Sequence, residues 1–178
     1  MLPPFNTTMK AGYYEYFSDA SNRDPSISGG VGLFKGAVIQ IACLRQHLTA
    51  PCSHTSEVVS AGTNLHLIVP VNGVLQELGI RLGISTPFYV DSKSTSFVCQ
   101  AETSVKKSAW ILRRVKVLHE GVQYDEIMPI HIRECDMVAD GLTKYIPVAV
   151  WRRHIHYLLN LGLDYPPGKK EQPVAEKG

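Results

Sequence analysis

The stretch "YYEYFSDASNRD", residues 13 to 24, combines a strand pattern with a carboxylate at its end. Tyr13, Glu15, Phe17 and Asp19 alternate with the intervening residues, which is typical of a β-strand with one buried face. An isolated acid at the end of such a strand is usually a solvated terminus. The interpretation of Asp19 therefore depends on whether other acids occupy comparable places further along the chain.

Length and composition indicate one globular domain. The 178 residues can form a full hydrophobic core but are too few for two domains of ordinary size. Hydrophobic residues make up 44% and charged residues 19%, which excludes a disordered chain, and the net charge of +2 gives only a weak overall field. We expect a domain over residues 13–162, after a leader at 1–12 and before a disordered, proline-rich tail at 163–178.

Cysteine spacing and hydropathy exclude several classes of protein. Cys43, Cys52, Cys99 and Cys135 form no C-x-x-C pair, so neither a zinc site nor a disulfide framework is indicated. No uninterrupted apolar stretch reaches the roughly 18 residues of a membrane helix, and the N-terminus has no apolar signal core. The expectation is a soluble, intracellular, cytoplasmic protein without a membrane partner.

The first half of the chain predicts three strands and a helix. After the opening strand, "ISGGVGLFKGAVIQIACL" predicts a hairpin with its turn at Lys35 and Gly36. A helix is expected from Ser53 or Thr55, with a kink or restart at Pro70, because proline lacks the backbone donor that a helix needs.

The second half alternates strands and helices. "TPFYVDS" predicts a strand ending at Asp91, residues 103–119 a helix, "IMPIHIRE" a strand, "MVADGLTK" a short helix, and "VAVWRRHIHYLLNLG" an amphipathic helix. Three antiparallel strands followed by parallel ones predict the α/β class, with a mixed five-stranded sheet flanked by helices. Two helix stripes are predicted to be apolar: Val105, Ala109, Leu112 and Val115 in the first, and Val148, Trp151, Ile155 and Leu158 in the second.

The helix predicted at 103–119 also has a basic side. Lys106, Lys107, Arg113 and Arg114 surround Trp110 at helical spacing. An aromatic ring between cations can stack on a base or sugar while the cations contact phosphates, which predicts a nucleic-acid-binding face. The equally weighted alternative is a solvated face on which Trp110 packs against a neighbouring loop.

Four acids lie at predicted element ends: Asp19, Glu57, Asp91 and Asp140. Side chains at such ends can meet at one edge of a sheet. Oxygen ligands without histidine or cysteine suit Mg²⁺ or Mn²⁺. Two such ions about 3.5–4 Å apart could act on the attacking water and the leaving oxygen of a phosphodiester.

The remaining titratable residues predict no chemistry of their own. Glu15 is expected to be a solvated charge, and Asp136 a surface charge, with an outer-shell role at the metal site as the alternative. His119 and His131 are expected to be structural, with proton transfer to the leaving group as the alternative.

Five segments, among them the hairpin "ISGGVGLFKGAVI", resemble the ribonuclease H domain of copia-type (Pseudoviridae) retrotransposon Pol polyproteins. "YFSDAS" resembles the first strand of that family and "SHTSEVVSAG" its helix start. "FYVDSKSTSFV" resembles the strand end that carries its next aspartate, and "MVADGLTKYIP" is close to its A-D-x-L-T-K motif, the most specific match. The resemblance covers residues 13 to 147.

The resemblance implies a fold, an activity and its partners. It implies the ribonuclease H fold and an endonuclease that cuts the RNA strand of RNA-DNA hybrids during reverse transcription. Asp19, Glu57, Asp91 and Asp140 would be the catalytic residues and the ligands of two Mg²⁺ ions, with Mn²⁺ as the substitute ion. The implied partners are the hybrid and the reverse transcriptase domain of the same polyprotein, including within virus-like particles.

The sequence also departs from that family's pattern. Ser92 replaces the usual asparagine, Pro70 interrupts a usually continuous helix, and the basic segment lacks the usual histidines. No polymerase motif is present. The alternative from another class is therefore a non-catalytic nucleic-acid-binding or scaffold domain, a relic or host-captured copy of a retroelement ribonuclease H.

Overall fold

The computed structural model describes residues 14–47, 50–80, 85–100 and 109–160. The strands are β1 Tyr14–Ala20, β2 Ile27–Phe34, β3 Ala37–Arg45, β4 Thr86–Val90 and β5 Ile127–His131. The helices are α1 Ser53–Glu77, α2 Lys93–Gln100, α3 Ala109–Gln123, α4 Asp140–Thr143 and α5 Val148–Leu158. The predicted leader at 1–12 and the tail at 163–178 lie outside the described residues.

The five strands form one mixed sheet in the order β3-β2-β1-β4-β5. β1, β2 and β3 pair antiparallel, whereas β4 pairs parallel with both β1 and β5. The predicted hairpin turn is at Lys35 and Gly36, which both have positive φ, as a tight hairpin turn requires. The predicted fold class is confirmed.

Both faces of the sheet are covered, which is why every residue of β1 is buried. One face packs against α1, α2 and α3 through a core that includes Tyr14, Tyr16, Val58, Leu65, Ile68, Phe88, Val115 and Leu118. The opposite face packs against α5 and the segment before α4 through Phe17, Val31, Leu33, Tyr89, Met137 and Tyr157. The ends of the central strands are therefore held from both sides.

Helix α1 runs without interruption for 25 residues through Pro70, so the predicted restart after Pro70 is wrong. Pro70 cannot donate to the carbonyl of His66, but both residues are exposed, so water can replace the missing donor. Among the described residues, α1 is the one helix long and apolar enough to cross a membrane. More than half of its apolar window, 56%, is buried inside this fold, as in the core helix of a soluble protein.

The region between β4 and β5 holds two helices in the described residues, where the sequence predicted one at 103–119. Helix α2 was not predicted, and residues 101–108 lie outside the described part of the chain. In α3 the buried side chains are Ile111, Val115 and Leu118, while Leu112 is 39% exposed. Of the predicted stripe, Val115 is buried as expected and Leu112 is not, while Val105 and the side chain of Ala109 lie outside the described residues.

Helix α5 buries a different side from the one predicted. His154 and Tyr157 are buried, whereas Val148 is 66% and Trp151 38% exposed. The Tyr157 hydroxyl donates to Glu15 at 3.0 Å, and Glu15 is fully buried, contrary to its expected solvation. Hydrophobicity alone does not identify this face, because its polar atoms are buried together with their hydrogen-bond partners.

Candidate metal centre

Three of the four predicted acids meet at one edge of the sheet. The parallel register of β1 and β4 pairs Ser18 with Val90, so the residues that follow, Asp19 and Asp91, lie side by side. Glu57 is the fifth residue of α1, which packs across β1 and β2. One carboxylate oxygen from each of Asp19, Glu57 and Asp91 lies within 4.8 Å of the others.

A buried polar network holds α1 against the strand that carries Asp19. The hydroxyl of Ser60 donates to the Asp19 carbonyl at 2.6 Å. The Asn64 amide donates to the Ser18 hydroxyl at 2.8 Å and to the Gly29 carbonyl at 2.9 Å. This network fixes the position of α1, and therefore of Glu57, relative to Asp19.

Asp140, at the start of α4, joins the cluster through a lysine. The ammonium nitrogen of Lys144 lies 3.1 Å from Asp140 Oδ1, 3.7 Å from Asp19 Oδ1 and 3.9 Å from Glu134 Oε1. The Thr143 hydroxyl donates to Asp19 Oδ2. Asp140 thus lies beside the group of three acids, with Lys144 between it and Asp19.

Burial raises the pKa of every acid in the cluster, and the charges of neighbouring acids raise it further at Glu57, Asp91 and Asp140. Burial and the charges of Asp19 and Asp91 raise the pKa of Glu57 to about 9. Burial and the charge of Asp19 raise the pKa of Asp140 to about 8, although Lys144 opposes this shift. The pKa values of Asp19 and Asp91 are raised mainly by burial as well.

Lys144 responds in the opposite way. Burial alone would lower its pKa, but the charges of Asp19 and Asp140 raise it above its ordinary range. When all four acids are ionised, their negative charge exceeds what one ammonium group can balance.

The residues present fit a divalent cation. Asp19 Oδ1 is buried without a hydrogen-bond donor among the described residues, and Lys144 approaches it only to 3.7 Å. All available donors are carboxylate oxygens, the ligands that Mg²⁺ and Mn²⁺ prefer. An additional positive charge here would also relieve the repulsion that raises the pKa values of the acids.

The two histidines that the sequence analysis weighed as structural or proton-transferring both bind backbone carbonyls. His131 Nε2 lies 3.0 Å from the Asp91 carbonyl, and His119 Nε2 lies 2.6 Å from the Val98 carbonyl. Since a carbonyl can only accept, both nitrogens donate. His131 therefore contributes to the position of the strand end that carries Asp91.

The predicted nucleic-acid-binding residues are only partly described. Lys106 and Lys107 lie outside the described residues, and so does the side chain of Trp110, although its backbone belongs to α3. Arg113 is exposed, whereas Arg114 is half-buried and lies against Gly62 of α1. The expected basic face is thus neither confirmed nor contradicted.

Sequence reasoning missed several residues of the site. Thr143 and Lys144 belong to the quoted "MVADGLTKYIP" segment, so their signal was in the motif that identified Asp140. Ser60 and Asn64 follow Glu57 at one-turn and two-turn spacing, but small polar residues in a helix have no specific pattern. Asp136 is not a surface charge, because it is buried and pairs with Arg133 and Arg153.

Comparison with solved structures found ribonuclease H1 enzymes with a similar fold. Ribonuclease H1 isolated from compost by a metagenomic approach is 17% identical, with a TM-score of 0.59 over 74% of this chain and 93% of that one. Ribonuclease H1 from the archaeon Halobacterium salinarum is 13% identical, with a TM-score of 0.55 over 74% and 95%. The compost enzyme in complex with an RNA/DNA hybrid is 15% identical, with a TM-score of 0.53 over 73% and 93%.

The chain has the ribonuclease H fold. Searches against protein-family models and against curated proteins found no match. At these identities the likeness establishes the fold alone. The carboxylate cluster lies at the edge where β1 and β4 of this ribonuclease H fold end.

Proposed function

We propose that this chain is a divalent-metal-dependent ribonuclease H that hydrolyses the RNA strand of RNA-DNA hybrids. The observation that carries the proposal is the meeting of Asp19, Glu57 and Asp91, whose oxygens lie within 4.8 Å of one another at the edge of a ribonuclease H fold. Asp140 and Lys144 lie beside them. Such a cluster suits hydrolysis of a phosphodiester, whose transition state gains negative charge on oxygen.

Each residue of the cluster has a role in this proposal. Asp19, Glu57 and Asp91 would hold one cation, and Asp140 would complete the ligand set of a second one together with Asp19. When bound, divalent cations supply an activated water and stabilise charge on the leaving oxygen. The Thr143 hydroxyl holds Asp19 Oδ2, which leaves Oδ1 as the oxygen that can ligate.

The substrate class is supported by the structural neighbours. The compost ribonuclease H1 has been solved with an RNA/DNA hybrid, and its chain aligns over most of the present fold. Selection of RNA over DNA would come from the 2′-hydroxyl groups and the shape of the hybrid, so little sequence preference is expected.

The finer origin of the chain is also a proposal. The A-D-G-L-T-K segment and its companions support a copia-type retrotransposon Pol polyprotein, with a reverse transcriptase domain as partner and Mg²⁺ as the physiological ion. The corresponding location is cytoplasmic, including virus-like particles. A reverse transcriptase reading frame directly upstream in the genome would support this origin, and a host gene there would contradict it.

The activity is tested with the purified chain and an RNA-DNA hybrid labelled at one end of the RNA strand. We expect RNA cleavage in Mg²⁺ and in Mn²⁺ and none with excess chelator. Asp91→Asn should reduce the rate at least ~100-fold, because a metal ligand is lost while the side chain keeps its size. The matched control is Asp125→Asn, which makes the same change at an exposed acid beyond α3.

The outcomes separate the two interpretations. Cleavage that Asp91→Asn abolishes and Asp125→Asn leaves intact would establish the enzyme. Hybrid that is bound but stays intact with both metals would instead establish the non-catalytic nucleic-acid-binding domain. Equal rates in both variants would contradict the proposed role of Asp91 in cleavage.

A further inference from the structure

A polar cleft lies at the edge of the sheet where β1 and β3 end, and none of the four acids lines it. It has a volume of about 360 Å³ and lies between the loop after β1 and the segment that joins β3 to α1. Its lining includes Arg23, Arg45 and His47, all exposed, with Asp24 as the one acid among the described lining residues. The two arginines are cations, which favour an anionic ligand.

Hydrogen bonds join the floor of this cleft to the metal centre. The backbone N–H of Gln46 donates to the Ser26 carbonyl at 2.8 Å, which connects the two walls. The Gln46 side chain donates to the Ser56 carbonyl at 3.0 Å, and Ser56 directly precedes Glu57. Because the loop after β1 begins two residues beyond Asp19, the cleft and the acids share one edge of the sheet.

An aromatic ring lies beside the cleft. Tyr145 directly follows Lys144 and is 94% exposed, which is unusual for so large an apolar surface. The guanidinium carbon of Arg23 lies 5.9 Å from the centre of its ring. The pair thus combines a face on which a base can stack with a cation that can contact phosphate.

We propose that the cleft and Tyr145 bind the nucleic-acid strand next to the phosphodiester that is cut. Arg23, Arg45 and His47 contact the phosphates of that strand, and Tyr145 stacks on one of its bases. The inference rests on the proposed function, since it assigns the cleft to the same substrate. It places strand binding on the β1 and β3 side of the acids, away from the basic residues of α3.

Binding is measured by fluorescence anisotropy with a labelled RNA-DNA hybrid and no divalent metal, so that cleavage does not interfere. For the double variant Arg23→Ala/Arg45→Ala we expect at least about tenfold weaker binding. The slope of log K against log salt should fall by about 2, because two phosphate contacts are lost. Tyr145→Ala should weaken binding roughly five- to tenfold with the slope unchanged, because stacking releases no counterions.

The control Arg152→Ala removes the same charge from an exposed position on α5 and should change neither affinity nor slope. The proposal is overturned if the double variant keeps the wild-type affinity and slope, or if Arg152→Ala weakens binding equally. If the wild-type chain cleaves the hybrid and the variants bind it as tightly as the wild type, the proposal for the cleft is wrong and the ribonuclease H proposal stands. If the wild-type chain binds but does not cleave the hybrid and the variants lose binding, the proposal for the cleft is supported and the ribonuclease H proposal is wrong. If the wild-type chain binds no hybrid, both proposals are wrong.

Discussion

At the scale of single residues, the charge balance of the site depends on Lys144. Its ammonium group lies within 4 Å of carboxylate oxygens from Asp19, Glu134 and Asp140. Opposite charges at such distances, partly shielded from water, interact more strongly than a pair on the open surface. Lys144 therefore stabilises the metal-free site and competes with any cation that approaches Asp19 Oδ1.

Replacing Lys144 with methionine should affect these two roles in opposite directions. Without metal, we expect Lys144→Met to melt at a lower temperature than the wild type, because the buried acids lose their counter-charge. Binding of Mn²⁺ should become about tenfold tighter, since the competing ammonium is gone. Calorimetric titration with Mn²⁺ measures the affinity directly, and weaker or unchanged binding would show that Lys144 does not compete with the cation.

The acids and their companions differ in how far the sequence could predict them. Asp19, Glu57 and Asp91 were placed at element ends, and the structure brings them together. Glu15 was expected in solvent because a carboxylate in a strand is usually solvated. Its burial depends on Tyr157, which is 142 positions away in the sequence, and no local pattern contains that partner.

At the scale of elements, the contact between α1 and β2 determines where Glu57 lies. This contact is close because Gly30 of β2 lies against the side chains of Tyr16 and Asn64. A methyl group added at Gly30 would collide with the Tyr16 hydroxyl and the Asn64 side chain. The glycine thus allows the helix to approach the sheet closely enough for Asn64 to bond Ser18.

We expect Gly30→Ala to cost about 1–3 kcal/mol, the usual cost of overpacking a core. At about 2–4 °C per kcal/mol for a domain of this size, the melting temperature should fall by about 2–12 °C. The control is Gly73→Ala in α1, where an added methyl group meets nothing within 4 Å. It should stabilise the protein by about 0.5–1 kcal/mol, because alanine is the better helix former. Equal melting temperatures for the two variants would contradict this account of the contact.

Pro70 shows why local rules predicted the wrong boundary. The rule that proline interrupts a helix holds when the lost hydrogen bond is buried. Here the carbonyl of His66 and Pro70 itself are exposed, while Ile68 and Leu75 on the other side are buried in the core. Packing of that apolar side keeps α1 continuous, and the sequence alone does not say which side of Pro70 faces water.

At the scale of the whole molecule, the mixed five-stranded sheet and its flanking helices could be predicted from strand and helix patterns, but the spatial order of the strands was not predicted. The rotation of α5 was not predicted either, because which side of a helix is buried depends on the sheet it packs against. In α5 the buried His154 contacts the Cys135 carbonyl at 3.1 Å, a partner outside the helix. Polar residues buried through such distant contacts are not distinguishable from exposed ones in a hydrophobicity pattern.

The folded state also couples the acid cluster to global stability. Glu57 and Asp140 have pKa values of about 9 and about 8 in the fold, well above those of unfolded carboxyl groups near 4. At pH values between the unfolded and the folded pKa, the folded chain binds more protons than the unfolded chain. The free energy of unfolding therefore falls as pH rises through this range. The acids share one site and titrate together, so the fall is a property of the cluster.

We therefore expect the melting temperature of the metal-free protein to decrease from pH 5 to pH 9, by about 5 °C or more. A loss of 1 kcal/mol lowers it by about 2–4 °C in a chain of this length. Saturating Mg²⁺ or Mn²⁺ should flatten the profile, because a bound cation stabilises the ionised acids and binds only the folded state. Glu57→Gln should show a shallower decrease without metal, since one of the protons is no longer taken up. Calorimetric melts across this range with chelator, and then with each metal, measure both effects. A melting temperature that rises with pH in chelator would mean that the acids are ionised in the metal-free fold, and that Lys144 balances their charge without help from protons.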